Sequence, residues 1–179
     1  MWLSLKLFAD VGIVGKPNAG KSTFLSKISR AVPKIADYPF TTLHPILGVL
    51  KKFDYEIIIA DIPGLIKGAH EGKGLGDKFL AHIEKCKVLL HIIDCSKENF
   101  IDNYTIIRDE MKKYNKDLSE KKEIIALSKL DLIFSEKNKL SKIVQNKTGK
   151  KPYFFSSITN IGIEELKNEL LKQFINENN

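Results

Sequence analysis

The sequence predicts an α/β fold, a mostly parallel six-stranded sheet flanked by helices, and three observations predict it. Short apolar runs alternate with stretches whose apolar residues recur every three or four positions. A glycine-rich loop separates the first apolar run from the first helical stretch. No internal repeat, low-complexity tract or Pro/Gly/Ser linker interrupts the pattern, so residues 1–179 read as one domain with one sizeable core.

Val11–Val14 reads as a buried strand ending at Gly15, and Phe24, Leu25, Ile28 and Val32 as the stripe of the helix after it. Ile57–Ala60 is a second buried strand, with Leu47–Phe53 as its antiparallel neighbour, and Lys87–Ile93 a third buried run. Phe100, Tyr104, Ile107, Met111 and Tyr114 mark one helix face. Glu123–Leu127 is the next strand, followed by a helix capped by Ser135 and carrying Leu140, Ile143 and Val144. Pro152–Phe155 is a short last strand, and Ile163, Leu166, Leu170 and Phe174 stripe the closing helix.

Hydrophobic content of 43% and charged content of 28% are those of an ordinary globular protein. No apolar stretch approaches the roughly 18–20 residues of a membrane span. The first residues carry no basic leader or cleavage-like site. Cys86 and Cys95 form no CxxC pair and read as buried thiols, which suits a reducing cytoplasm. The net charge of +7 favours polyanionic partners such as RNA. The lysine runs Lys112–Lys122 and Lys137–Lys151 include acids or amides and read first as solvated surface, so the charge is only supportive of RNA contact.

Gly15-Lys16-Pro17-Asn18-Ala19-Gly20-Lys21-Ser22 matches GxxxxGK[ST] between a strand and a helix. Its glycines allow torsions that turn successive N–H groups toward phosphate oxygens, and the following helix aims its positive end at the same anion. Lys21 supplies a point charge for β- and γ-phosphates, and the Ser22 hydroxyl can ligate Mg²⁺; Thr23 follows at the helix start. Asp61-Ile62-Pro63-Gly64 stands at a strand end about forty residues on. There an acid can hold Mg²⁺ through water, and the Gly64 N–H can meet a γ-phosphate. Phe40, Thr41 and Thr42 lie between the first helix and the next strand, where a hydroxyl completes the metal shell only with a triphosphate present.

Ser128-Lys129-Leu130-Asp131 follows a strand at the place where GTPases usually carry Asn-Lys-x-Asp. Asp131 can accept from both guanine N1–H and the 2-amino group. Adenine would leave that carboxylate unpaired, a discrimination of about 10⁴-fold or more. The Lys129 stem can lie along the base face, and the loop Ser156-Ser157-Ile158 can bring backbone N–H groups to the guanine oxygen. Serine at position 128 in place of asparagine removes a contact worth on the order of 1 kcal/mol. Weaker guanine binding without lost specificity is the expectation.

Residues 9–23, 34–43 and above all 60–76, Ala-Asp-Ile-Pro-Gly-Leu-Ile-Lys-Gly-Ala-His-Glu-Gly-Lys-Gly-Leu-Gly, are similar to the signatures of the Obg family. The resemblance covers essentially the whole chain and identifies residues 1–179 as an Obg-type G domain. It implies a Ras-like P-loop NTPase core, GTP and GDP as ligands, Mg²⁺, slow hydrolysis, and a role in large ribosomal subunit assembly and growth or stress control. It implies Ser22 and Thr42 as magnesium ligands, Asp61 in the outer shell, and Lys21, Thr42 and Gly64 as catalytic groups. Leu65 stands where a Ras-like enzyme carries glutamine, so turnover on the order of 10⁻⁴ s⁻¹ is expected. Asn18 has two readings, a K⁺ ligand as in related GTPases or a loop-stabilising side chain. His70 reads as a loop residue, and His44, His82 and His91 are assigned no chemistry. The family's glycine-rich N-terminal domain has no counterpart here, so the chain is expected to be an excised G domain or a short relative, and monomeric. Two other readings stand beside it, an Obg-related ATPase and a non-catalytic nucleotide sensor.

Overall fold

A computed structural model describes residues 9–35, 44–61, 86–114 and 116–177, with only the backbone of Tyr114. In chain order the elements are β1 (Val11–Val14), α1 (Lys21–Ile28), β2 (Lys34–Ile35), β3 (Ile46–Lys52), β4 (Tyr55–Asp61), β5 (Val88–Asp94), α2 (Phe100–Tyr114), α3 (Lys116–Glu120), β6 (Lys122–Ser128), α4 (Lys137–Thr148), β7 (Tyr153–Phe154) and α5 (Ile163–Asn176). Two 3₁₀ turns, Leu130–Leu132 and Phe134–Glu136, join β6 to α4.

The strands form one sheet in the order β2-β3-β4-β1-β5-β6-β7. β4, β1, β5, β6 and β7 run parallel, while β3 and β2 are antiparallel to their neighbours. The seven strands exceed the six expected by β2. Its two exposed residues pair only as Lys34 with Leu47 and Ile35 with Ile46, too short a run to leave an apolar signature.

The central strands are buried on both faces, which is why β5 reads as an unbroken apolar run. On one face Phe24, Leu25 and Ile28 of α1 join Leu166 and Leu170 of α5 over Val11, Ile13, Ile59, Leu90 and Ile92. Phe24 and Phe155 meet there with ring centroids 5.0 Å apart at 55°. Burying a side chain the size of Phe24 is worth about 2–3 kcal/mol. On the other face Phe100 and Tyr104 of α2 and Leu140 and Val144 of α4 pack on Ile93, Ile125 and Leu127.

Two helix details depart from the expectation. α1 stops at Ile28, its cap Ser29 is extended, and Val32 is 84% exposed. Val32 precedes Pro33, a position from which helical torsions are disfavoured. The Ser29 hydroxyl also accepts from the Val49 N–H at 3.0 Å, tying the helix end to β3. Ser135 does not cap α4: it lies within a 3₁₀ turn that runs into the helix, Glu136 takes the cap position without a side-chain bond, and Ile143 is exposed rather than core.

Parallel order brings the carboxyl ends of β1, β4, β5 and β6 to one edge. Ile13 stands beside Asp61, Val14 beside His91, and Asp94 beside Ser128. Ligands of open parallel sheets bind at such an edge.

Candidate functional site

The loop between β1 and α1 fits only because Gly15 has no side chain. Its φ is +150°, and a Cβ there would stand 2.2 Å from the Ile92 carbonyl oxygen. Asn18 sits at φ +62° and exposed, a conformation that asparagine tolerates better than most residues. Pro17 is exposed beside it, and Ala19 is buried with its N–H on the Lys16 carbonyl at 3.2 Å. Gly20, at φ +95°, caps α1 without a side-chain bond, and no acid of the helix's own first turn occupies its N–H groups. Thr23 lies exposed on that turn.

Lys21 reaches back over the loop, its Nζ donating to the carbonyls of Gly15 at 3.1 Å and Lys16 at 3.0 Å. Burial pushes its pKa below the usual lysine value, with Asp61 opposing. The Ser22 hydroxyl donates to Asp61 Oδ2 at 2.6 Å. Asp61 is 4% exposed, and its Oδ1 is buried without a hydrogen-bond partner among the described residues. An orphaned carboxylate oxygen beside a serine hydroxyl is a hard oxygen pair that fits Mg²⁺. Phe40, Thr41, Thr42, Ile62, Pro63 and Gly64, with Leu65, His70 and His82, lie outside the described residues.

At the other end of the edge, Ser128 is buried at the end of β6. Its hydroxyl lies 2.7 Å from the Ala19 carbonyl oxygen and 3.2 Å from that of Ile93, joining β6 to the phosphate loop. The asparagine-to-serine difference therefore falls on a clip between two loops. Lys129 holds a left-handed backbone at φ +62°, and its Nζ lies 2.5 Å from Asp94 Oδ2. Asp131 is the middle residue of the turn Leu130–Leu132 and is half-buried.

Ser156, wholly buried, donates its hydroxyl to Asp131 Oδ1 and accepts the N–H groups of Ile158 and Thr159 at 3.2 Å each. The Ile158 N–H is thereby turned inward, while its side chain is 80% exposed; Ser157 is half-buried beside it. The loop closes on Gly162, at φ +77°, where a Cβ would fall 1.9 Å from the Phe154 carbonyl oxygen.

The edge thus gathers Gly15 to Ser22, Asp61, Ser128 to Asp131 and Ser156, drawn from four stretches of the chain. Sequence reasoning missed Asp94 and the Ala19 carbonyl. Asp94 had a signal, an acid ending a buried strand and followed two residues later by a hydroxyl; a backbone carbonyl has none. Beside the outer side of the phosphate loop lies a cleft of about 370 Å³, lined in part by Lys16, Asn18, Asp94, Asn99 and Lys129. His91 also lines this cleft yet is 1% exposed: its ring stacks on Tyr104 and its Nδ1 lies 3.1 Å from Glu123 Oε1. Cys86 and Cys95 are buried free thiols.

A family model described as 50S ribosome-binding GTPase matches residues 10–129. Among solved structures, the chain is similar to the G domain of the T. maritima FeoB iron transporter, at 22% identity over 91% of this chain and 96% of that one, with a TM-score of 0.66. It is similar to nucleolar GTP-binding protein 1 of Plasmodium falciparum at 24% identity over 94% and 87% of the two chains, with a TM-score of 0.70. It is also similar to an Aquifex aeolicus Era variant bound to GDP and AlF₄⁻, at 27% identity over 91% and 56%, with a TM-score of 0.70. The chain spans 62% of the longer FeoB cytosolic domain. The fold is that of a P-loop GTPase G domain. Among the described residues no helix is long and apolar enough to cross a membrane.

Proposed function

The chain belongs to the 50S ribosome-binding GTPase family, and from that premise we propose that it is an Obg-type GTP switch, one that hydrolyses GTP slowly with Mg²⁺ and serves large-subunit assembly in the cytoplasm. The glycine-rich segment at residues 60–76 supports the Obg assignment. The observation that carries the nucleotide reading is the shared edge of phosphate loop and Asp131, the carboxylate held from behind by Ser156.

Each residue then has a task. The backbone N–H groups of residues 15–23, Pro17 having none, surround phosphate oxygens, and Lys21 exchanges its two carbonyl contacts for phosphate. Ser22 and Thr42 would ligate Mg²⁺, with Asp61, already bonded to the Ser22 hydroxyl, holding it through water. The ion, when bound, neutralises charge on the β- and γ-phosphate oxygens. The Gly64 N–H meets the γ-phosphate. Asp131 accepts two hydrogen bonds from guanine; Ser156 fixes the carboxylate so that little orientational freedom is lost on binding. Leu65 offers no group to orient water, so hydrolysis is slow. Asn18 remains the position at which K⁺ would act, and equal turnover in K⁺ and Na⁺ buffers removes that idea.

Competitive binding of GDP, GTP and ATP with Mg²⁺, on the wild type and Asp131→Ala, tests the reading. Guanine nucleotides are expected to bind far more tightly than ATP, and the preference to collapse in the variant. Equal or tighter ATP binding by the wild type would make the chain an ATPase-type relative, and tight GTP binding without turnover under single-turnover conditions would make it a sensor.

A further inference from the structure

We propose that Asp94 is a positioning residue for nucleotide binding: by anchoring the Lys129 ammonium, it holds the lysine's hydrocarbon stem as a preformed platform for the base. The inference rests on the guanine-pocket reading above.

Asp94 ends β5 directly beside Ser128 of β6. Both of its carboxylate oxygens are engaged. Oδ2 accepts from Lys129 Nζ at 2.5 Å, and Oδ1 accepts the Ser96 N–H at 3.1 Å and the Ser96 hydroxyl at 2.5 Å. The donors on Oδ1 fix the carboxylate plane, so Oδ2 is presented in one direction. The Asp94 side chain is 10% exposed and that of Lys129 36%, so the pair sits half out of water, where an ion pair is screened less than on open surface. Burial pushes the Asp94 pKa up, but the Lys129 and Ser96 donors outweigh it and hold the carboxyl below its usual range. It stays charged at neutral pH.

The backbone around Lys129 is pinned as firmly. Before it, the Cys95 N–H and thiol both donate to the Ser128 carbonyl, at 3.4 and 2.7 Å. After it, the Leu130 N–H donates to the Phe155 carbonyl at 3.1 Å. The stem is therefore restrained at both ends, its Cα by the left-handed turn and its Nζ by Asp94. A lysine free at its far end would surrender rotamer freedom when a base settled on it. One already anchored surrenders less, and the difference appears as affinity. A hydrocarbon stem reads a base's flat face but not its edge, so the effect acts on affinity and leaves selectivity to Asp131.

The test is titration calorimetry of GDP and ATP with Mg²⁺ on the wild type, Asp94→Asn, Lys129→Ala, the double variant and Asp131→Asn, with thermal midpoints recorded. Asp94→Asn is expected to weaken GDP about tenfold, about 1.4 kcal/mol, with the GDP-to-ATP ratio kept. In the Lys129→Ala background the same change is expected to cost less than twofold. Ser96→Ala, which only loosens the carboxylate, is expected to give a smaller loss in the same direction, and it serves if Asp94→Asn does not fold. Wild-type affinity in Asp94→Asn, or an equal loss with and without Lys129, overturns the proposal, the second outcome meaning that the pair merely staples two loops. A wild type without guanine preference, or a preference that survives Asp131→Asn, overturns the pocket reading and this inference with it. Retained preference with an unaffected Asp94→Asn overturns the inference alone.

Discussion

Replacing Glu123 by glutamine should cost most of the stability that one buried charge contributes, and the loss should vanish in acid. The Glu123 side chain is fully buried, with Oε1 3.1 Å from His91 Nδ1 and 3.6 Å from Arg108, and Oε2 3.1 Å from Lys150 Nζ and 3.3 Å from the Tyr104 hydroxyl. Burial pushes its pKa up. The His91 bond and the charges of His91, Arg108 and Lys150 overcome that and bring it down to about 2, from an ordinary value of 4.5. The folded-state value lies below the unfolded one, so ionisation favours folding above about pH 4.5, and that contribution fades as pH falls toward 2. Between two and three units at about 1.36 kcal/mol each give about 3 kcal/mol at neutral pH.

Glutamine keeps the shape and one acceptor oxygen but loses the charge. Lys150 reaches solvent, with its side chain 44% exposed, and can hydrate when its partner is gone, whereas the Arg108 Nη1 that faces the carboxylate is buried and would lose its counter-charge. Urea unfolding of both proteins at pH 7, 5, 4 and 3 reads the effect. The wild type should lead by about 3 kcal/mol at pH 7 and 5, with the gap closing below pH 4.5. A gap absent at pH 7, or one that persists undiminished at pH 3, would refute the electrostatic account. The second result would assign the loss to packing.

Two further outcomes follow from burial and backbone geometry. Gly15→Ala drives a Cβ into the Ile92 carbonyl oxygen, and strain of this kind costs about 1–3 kcal/mol; the thermal midpoint should fall and nucleotide affinity with it, and an unchanged midpoint means the loop relaxes freely. Burial pushes the Cys86 and Cys95 thiols up to about 12, so neither should react with a disulfide reagent at pH 8 until denaturant is added. Reaction of either in the native protein would reveal local opening.

Much of this protein was legible because its signals are local. Strand, loop and helix over residues 11–28 follow from apolar period, two glycines and a lysine placed where a phosphate loop needs them. The same holds for the apolar runs of β4, β5 and β6, whose double-sided burial demands it. Even the exclusion of Val32 from α1 was readable in principle from Pro33, whose effect on Val32 is a backbone clash. Such features depend on a residue and its near neighbours, so the sequence by itself determined the fold class, the phosphate loop and the acids Asp61 and Asp131 as candidates.

The tertiary structure decided what those residues touch. Ser128 reads from sequence as a weakened base contact, yet its hydroxyl reaches Ala19, 109 positions away, because parallel pairing sets β6 within reach of the phosphate loop. Asp94 gains its meaning from Lys129, and Glu123 from residues on β5, α2 and the segment after α4. These are pairings of polar groups across elements, and their worth depends on distance and burial, quantities that a linear chain does not carry until the sheet brings its strand ends to one edge.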